Sequence, residues 1–231
     1  MTKEVFDNII TVATSPNWQY AVWVEKDWEQ MIIKNWEEEI KWYKDFEDIN
    51  FVWETFVFVA QKLSWKRVLV IDWKESEEYD WIDMRLLENN KKFICKVIKN
   101  WKEFLIIDWN EVSKGYDFID MKIEEDYYGV VCAEWKERTL FINWEEIYKT
   151  DEALIWDFEY DPDSKSYAVI LEKWYTDNKE DRRYILIKDE ERIGEHYYID
   201  VIMYTQDKFI YTYREGFCEN EKYGFKVLNL N

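Results

Sequence analysis

Four carboxylates recur at matched places along this chain. Asp7, Glu47, Asp80 and Asp117 each follow a Phe or Tyr directly and precede an Ile by two residues, as in Phe6-Asp7-Asn8-Ile9 and Tyr79-Asp80-Trp81-Ile82. A second set, Asp83, Asp120 and Asp200, lies further along the same segments. Carboxylates gathered from successive repeats can hold a cation or attract a basic partner, and singly they can act as general acid or base. The competing account is local: an Asp at a strand entrance accepts hydrogen bonds from nearby backbone amides and locks its own turn.

Other reactive side chains are scarce. His196 is the single histidine, so a two-histidine metal site is excluded and any Ser-His-Asp arrangement would depend on it. It stands just before Tyr197-Tyr198-Ile199, where a turn or strand start is expected, in a structural or exposed role. Cys95 and Cys132 fall in apolar, strand-like segments, where a free thiol behaves as a small buried hydrophobe. Cys218 makes the count odd, and none of the three has metal-ligand spacing. No phosphate-binding or dinucleotide glycine motif is present. Neither metal nor cofactor is therefore expected.

The elements that must position these groups are announced by their turns. Trp18, Trp28, Trp36, Trp73, Trp101, Trp109 and Trp144 each follow Asn or Asp directly, and Trp65 and Trp135 take the same slot after Ser64 and Glu134. Apolar runs flank most of these pairs. Asn-Gly and Asp-Gly between alternating hydrophobics mark type I′ hairpins, which need positive φ at both central residues. Here tryptophan occupies the glycine column. The chain has 15 Trp and only 5 Gly in 231 residues, whereas glycine ordinarily supplies roughly 7% of a chain. Left-handed backbone costs any other L-residue roughly 1–2 kcal/mol. A gene whose UGA codons mean glycine to its host, as in some uncultivated bacterial lineages, but are translated as tryptophan produces this pattern. Genuine tryptophans are the other reading. In either case the indoles of this chain should project at hairpin tips, where exposed apolar groups invite self-association. Trp23, inside the apparent strand 20–24, and Trp42, Trp53, Trp81, Trp156 and Trp174 have less decisive contexts.

A repeat accompanies the turns. Arg67-Val68-Leu69-Val70-Ile71-Asp72-Trp73 aligns with Glu103-Phe104-Leu105-Ile106-Ile107-Asp108-Trp109, and with the segments ending at Asn35-Trp36 and Asn143-Trp144. Weaker copies end at Lys188 and Asn229. Anchored on residues 35, 72, 108, 143, 188 and 229, the spacings are 37, 36, 35, 45 and 41. Several short strands per unit of this length make propeller blades rather than helical solenoids. The expected fold is all-β: a single domain over 1–231, a six-bladed β-propeller of about 38 residues per blade. Because the chain starts on the second signature (residues 6–10) and ends on the first, the N-terminal strand is expected to close the last blade.

With Trp read as Gly, the units run Ser-Pro-Asn-Gly, strand, Asn/Asp-Gly, strand, Tyr-Asp-x-Ile. That pattern resembles the bacterial WD-repeat-like propellers of the TolB-propeller type. Asp161-Pro162-Asp163-Ser164-Lys165 fits the same loop with departures at Asp161 and Ser164. The resemblance spans nearly the whole chain, its motifs are structural, and it carries no catalytic residue with it.

Charge narrows the partners. With 50 acidic against 31 basic residues the net charge is −19, which opposes binding to nucleic acid or to anionic membranes. No apolar run approaches a membrane span, and the start reads as a strand rather than a signal peptide, so a cytoplasmic protein is expected. The leading functional expectation is a non-enzymatic binding scaffold for a protein partner, with Asp7, Glu47, Asp80 and Asp117 as a carboxylate ring at its contact surface. The alternatives are a lectin-like propeller that stacks sugars on exposed Trp, and a hydrolase or lyase using carboxylates at the channel mouth.

Overall fold

The structure, a computed structural model, describes residues 6–35, 37–39, 43–87, 91–108, 110–124, 127–175, 182–205, 208–216 and 222–229. Among these residues every regular element is a β-strand, and no helix is long and apolar enough to cross a membrane. Backbone contacts divide the chain into two compact units, Met1–Asp117 and Phe118–Asn231.

Each unit holds three antiparallel meanders. In the first unit, sheet one is β1 (Asn8–Thr14), β2 (Tyr20–Lys26), β3 (Glu29–Lys34) and β4 (Glu37–Glu39). Sheet two is β5 (Asp45–Val52), β6 (Thr55–Gln61), β7 (Arg67–Ile71) and β8 (Lys74–Glu75). Sheet three is β9 (Trp81–Leu87), β10 (Lys92–Lys99), β11 (Lys102–Ile107) and β12 (Asn110–Glu111). In the second unit, sheet four is β13 (Phe118–Ile123), β14 (Tyr128–Glu134), β15 (Glu137–Ile142) and β16 (Glu145–Thr150). Sheet five is β17 (Leu154–Asp161), β18 (Ser166–Trp174), β19 (Arg182–Lys188) and β20 (Glu191–His196). Sheet six is β21 (Tyr198–Tyr204), β22 (Lys208–Glu215) and β23 (Lys222–Asn229).

Within a unit the sheets stack face to face, which explains the unbroken apolar runs. On β6, Phe56, Phe58 and Ala60 pack with Ala13, Ala21 and Ile32 of sheet one. The alternate residues Val57 and Val59 pack with Ile82, Met84, Phe93 and Val97 of sheet three. Successive side chains leave opposite faces of a strand, so a strand covered on both sides must be apolar throughout. β18 does the same in the second unit: Tyr167, Val169 and Leu171 meet sheet four, and Ala168 and Ile170 meet sheet six. Burying one such large side chain contributes roughly 1.5–3 kcal/mol.

The turns have the backbone that the sequence demands. Among the described residues five two-residue loops carry positive φ at both positions: Asp27-Trp28 (52°, 68°), Asp72-Trp73 (40°, 69°), Asn100-Trp101 (53°, 66°), Asn143-Trp144 (49°, 68°) and Asp189-Glu190 (45°, 71°). This is the type I′ geometry that favours glycine second. Trp18 (60°) and Trp65 (67°) are the last residues of three-residue loops, and Trp53 (57°) and Trp135 (56°) open two-residue loops, both further glycine positions. Trp36 and Trp109, like Trp42, lie outside the described residues. Trp23, Trp81, Trp156 and Trp174 sit in strands without positive φ. Trp18, Trp28, Trp101 and Trp135 are 88–94% exposed. Two turn indoles depart from the expected exposure: Trp73 packs on Phe56 and Phe58, and Trp144 stacks on Phe141 with ring centroids 4.7 Å apart.

The Asn or Asp of the turn between third and fourth strands clamps its sheet. Asn35, Asp72, Asp108, Asn143 and Asp189 each accept a side-chain hydrogen bond from the backbone N–H of Tyr20, Phe56, Phe93, Tyr128 and Tyr167, at 2.8–3.3 Å. Each also donates its own N–H to the carbonyl of that same residue. A short side chain in left-handed backbone can reach that N–H. Asp189, not Lys188, is therefore the anchor of the fifth copy.

The expected closing strand is corrected. The segment beginning at Asn8 pairs with β2 in its own sheet, from Asn8↔Glu25 to Thr14↔Tyr20. Among the described residues sheet six has three strands, ending at β23. The reason lies in the second signature. Tyr79 and Tyr116 bridge back to Arg67 and Glu103 of the preceding sheet, while the residues that follow open the next sheet. Residues 6–10 accordingly begin a sheet rather than finish one.

Candidate functional site

Two of the recurrent carboxylates, Asp7 and Asp80, accept hydrogen bonds from turn amides. Asp7 and Asp80 face the last residue pair of the hairpin between second and third strands, and accept from the first turn amide. Asp27 N donates to Asp7 Oδ2 at 2.7 Å and Asn100 N to Asp80 Oδ2 at 3.1 Å. Asp80 also pairs with Lys66, and these two interactions, Lys66 first, hold its carboxyl below the usual range. Asp117 lies beside Lys102 at 2.7 Å.

Glu47 is out of place in this series. Lys44 N bonds to Gln61 O as Asp7 N does to Glu25 O and Asp80 N to Ile98 O, so Lys44 holds the equivalent position. Glu47 lies further into β5 and binds the guanidinium of Arg67 at 3.0 Å. Asp83 pairs with Arg85 at 3.1 Å, Asp120 accepts from the amide of Met121, and Asp200 is exposed. Among the described residues no group of three or more His, Cys, Asp or Glu is placed to hold a metal ion.

One carboxylate is displaced the other way. Asp48 occupies the β5 bulge with φ of 50°. Partial burial, then the charges of Glu47 and Asp83, raise its pKa. Cys95 and Cys132 are buried in strands, as expected, and burial pushes the Cys95 thiol well up. Cys218 lies outside the described residues.

His196 is neither exposed nor in a turn. It ends β20, is buried, and its Nδ1 lies 2.5 Å from Glu215 Oε1 on β22. Its ring stacks on Tyr213 at 4.0 Å, with Tyr211 OH 3.5 Å from Nε2. Gly194 admits this ring, because a Cβ there would stand 2.8 Å from Nε2. The cluster ties sheet five to sheet six, and Tyr211 is fully buried, so no substrate reaches its phenol.

Clefts open among the described residues of the second unit. One, about 680 Å³, lies on β21–β23 among Tyr198, Asp200, Arg214, Tyr223 and Phe225. Another, about 370 Å³, lies between sheets four and five beside Tyr148, Lys173 and Arg192. A third, about 420 Å³, is assembled from three sheets. Glu124 and Tyr127 enter from the loop after β13, Glu159, Tyr160 and Asp161 from the end of β17, and Met203 and Tyr204 from the end of β21. Tyr127 and Tyr160 meet edge to face at 5.3 Å. Tyr127 OH lies 3.4 Å from Glu159 Oε2, and Tyr204 OH 3.2 Å from Ser166 Oγ, which donates to Asp189 at 2.6 Å. Lys122 beneath the wall pairs with Glu159 and lies 3.7 Å from Asp157. All three phenols titrate above their ordinary value. Burial is the main cause, supported by Glu159 at Tyr127, by Glu145 and Asp161 at Tyr160, and by Asp189 and Asp161 at Tyr204. Sequence repeats gave no hint of this site. Its residues come from the ends of β13, β17 and β21, where residue types differ from sheet to sheet, and the loop at 161–165 alone matches a repeated turn.

No family model and no curated protein matches the chain. Solved structures with a similar course include a eukaryotic initiation factor (TM-score 0.47, 8% identity, covering 100% of this chain and 67% of that one). They also include the tricorn protease (0.40, 9%, 96% and 25%) and BBS1N in complex with ARL6DN (0.34, 9%, 84% and 70%). Likeness this distant assigns no partner and no activity.

Proposed function

We propose that this chain is a non-enzymatic binding scaffold for a protein partner, its six meanders serving as the blades of a six-bladed β-propeller of the WD-repeat-like type. The observation that carries the reading is the cleft at 124–204, where first-strand ends from three stacked sheets converge on one concave, partly aromatic surface. Propellers expose such surfaces while the blades supply rigidity. Reactive machinery gives less support: Asp7, Asp80, Glu47 and Asp117 serve turns and ion pairs, and Asp48 lies in a strand bulge of the first unit. A sugar-binding reading has less support, since the most exposed indoles lie at hairpin tips and none of them lines the clefts described.

The same reading treats the turn tryptophans as occupants of glycine positions, with no part in recognition. Reading the codons of the source locus tests that statement: UGA at Trp18, Trp28, Trp53, Trp65, Trp73, Trp101, Trp135 and Trp144 supports it, and UGG overturns it.

Selection of a random peptide library on the immobilised chain tests the scaffold. Saturable binding of selected sequences, with Kd in the micromolar range, is expected. A chain that selects nothing, yet turns over esters or glycosides in a substrate screen, would overturn the reading.

A further inference from the structure

From the three-sheet cleft we infer the chemistry of the partner: a protein segment that lays a lysine or arginine side chain into the cleft against Tyr160 and Tyr204, with the buried Tyr127 at its base. The inference rests on the scaffold reading and sharpens it. Glu124, Glu159 and Asp161 line the space, and Lys122 is the one cation paired with any of these three in the described residues. Glu159 is shared between Lys122 and Tyr127 OH, and Asp161 accepts from Asp163 N at 3.2 Å and Ser164 Oγ at 2.5 Å. Glu124 is exposed at the rim.

Aromatic faces beside carboxylates suit a cation with an aliphatic stem. The stem lies on the rings, the head is attracted to their faces, and the carboxylates complete the ion pair. The carboxylates of Glu124, Glu159 and Asp161 make the potential in the same space negative. An anionic ligand would meet that potential unfavourably, and a neutral sugar would leave it uncompensated. The net charge of −19 adds long-range attraction for a basic segment. A cleft of about 420 Å³ holds one or two side chains, not a folded domain.

The probes are the library-selected peptides, their Lys/Arg→Gln counterparts, and free L-arginine as competitor. Selected peptides are expected to carry Lys or Arg, to lose about tenfold or more in affinity on Lys/Arg→Gln, and to weaken as salt is raised. The E124Q/E159Q double variant should lose affinity by a similar factor. Because changing Glu159 also removes the nearer of the two carboxylates beside Lys122, leaving Asp157 at 3.7 Å, Glu124→Lys, altering an exposed side chain alone, provides the second variant and should weaken binding as strongly. Peptides that bind both variants as tightly as the parent chain overturn the inference and leave the scaffold intact. So does competition by neutral monosaccharides but not by L-arginine. A library that yields no binder overturns both.

Discussion

At the residue scale, the left-handed turns make separable predictions. Trp28→Gly and Trp101→Gly remove strain from nearly fully exposed indoles, so each should stabilise the chain by about 1 kcal/mol in chemical denaturation. Trp23→Gly should do the opposite. Its ring packs on Phe46 at 5.8 Å and its Nε1 is buried without a partner among the described residues, and losing the ring should cost about 2 kcal/mol or more. If all three shift stability alike, backbone geometry is not what distinguishes them. The clamps are testable by pH. The carboxyl of Asp80 is held low, so its contribution is present above the usual carboxylate range and lost as pH falls through the lowered value. Asp80→Asn should therefore be less stable than the parent near pH 6, the gap closing toward about pH 2. A gap that widens in acid would contradict the pairing with Lys66 and Asn100.

At the element scale, the hairpins and buried strands were legible because their chemistry is local. Asn143-Trp144 fixes a turn, and Thr55–Gln61 carries enough apolar residues in a row to need cover on both faces. Register between sheets was less legible. Phe46-Glu47 resembles Phe6-Asp7 as a string, yet the bulge in β5 and the bond from Lys44 N to Gln61 O set a different alignment. His196 shows the same limit, since nothing adjacent in the chain announces Glu215 or Tyr213. Close approach between sheets is a further long-range feature. A Cβ at Gly129 would stand 2.1 Å from the ring of Phe158 on the neighbouring sheet. Gly129→Ala should therefore destabilise by about 1–3 kcal/mol, measured as a lowered Tm, and a neutral result would mean that β14 and β17 pack more loosely than described.

At the scale of the whole molecule, charge and cleft act together. A net charge of −19 disfavours the compact state through self-repulsion. Raising salt from about 10 mM to about 150 mM should thus raise Tm, while the same change weakens capture of a basic peptide. Opposite responses to one variable separate fold from recognition. The cleft was invisible in the sequence because Glu124, Glu159 and Tyr204 come from three repeats and hold no matched positions within them.

The most direct measurement is a binding titration of a chain in which the eight positive-φ tryptophans are all replaced by glycine, using a selected basic peptide. The account predicts the parent affinity within about twofold, because recognition resides in carboxylates and tyrosines at strand ends. Loss of binding in that folded chain would place recognition on the indoles and contradict it.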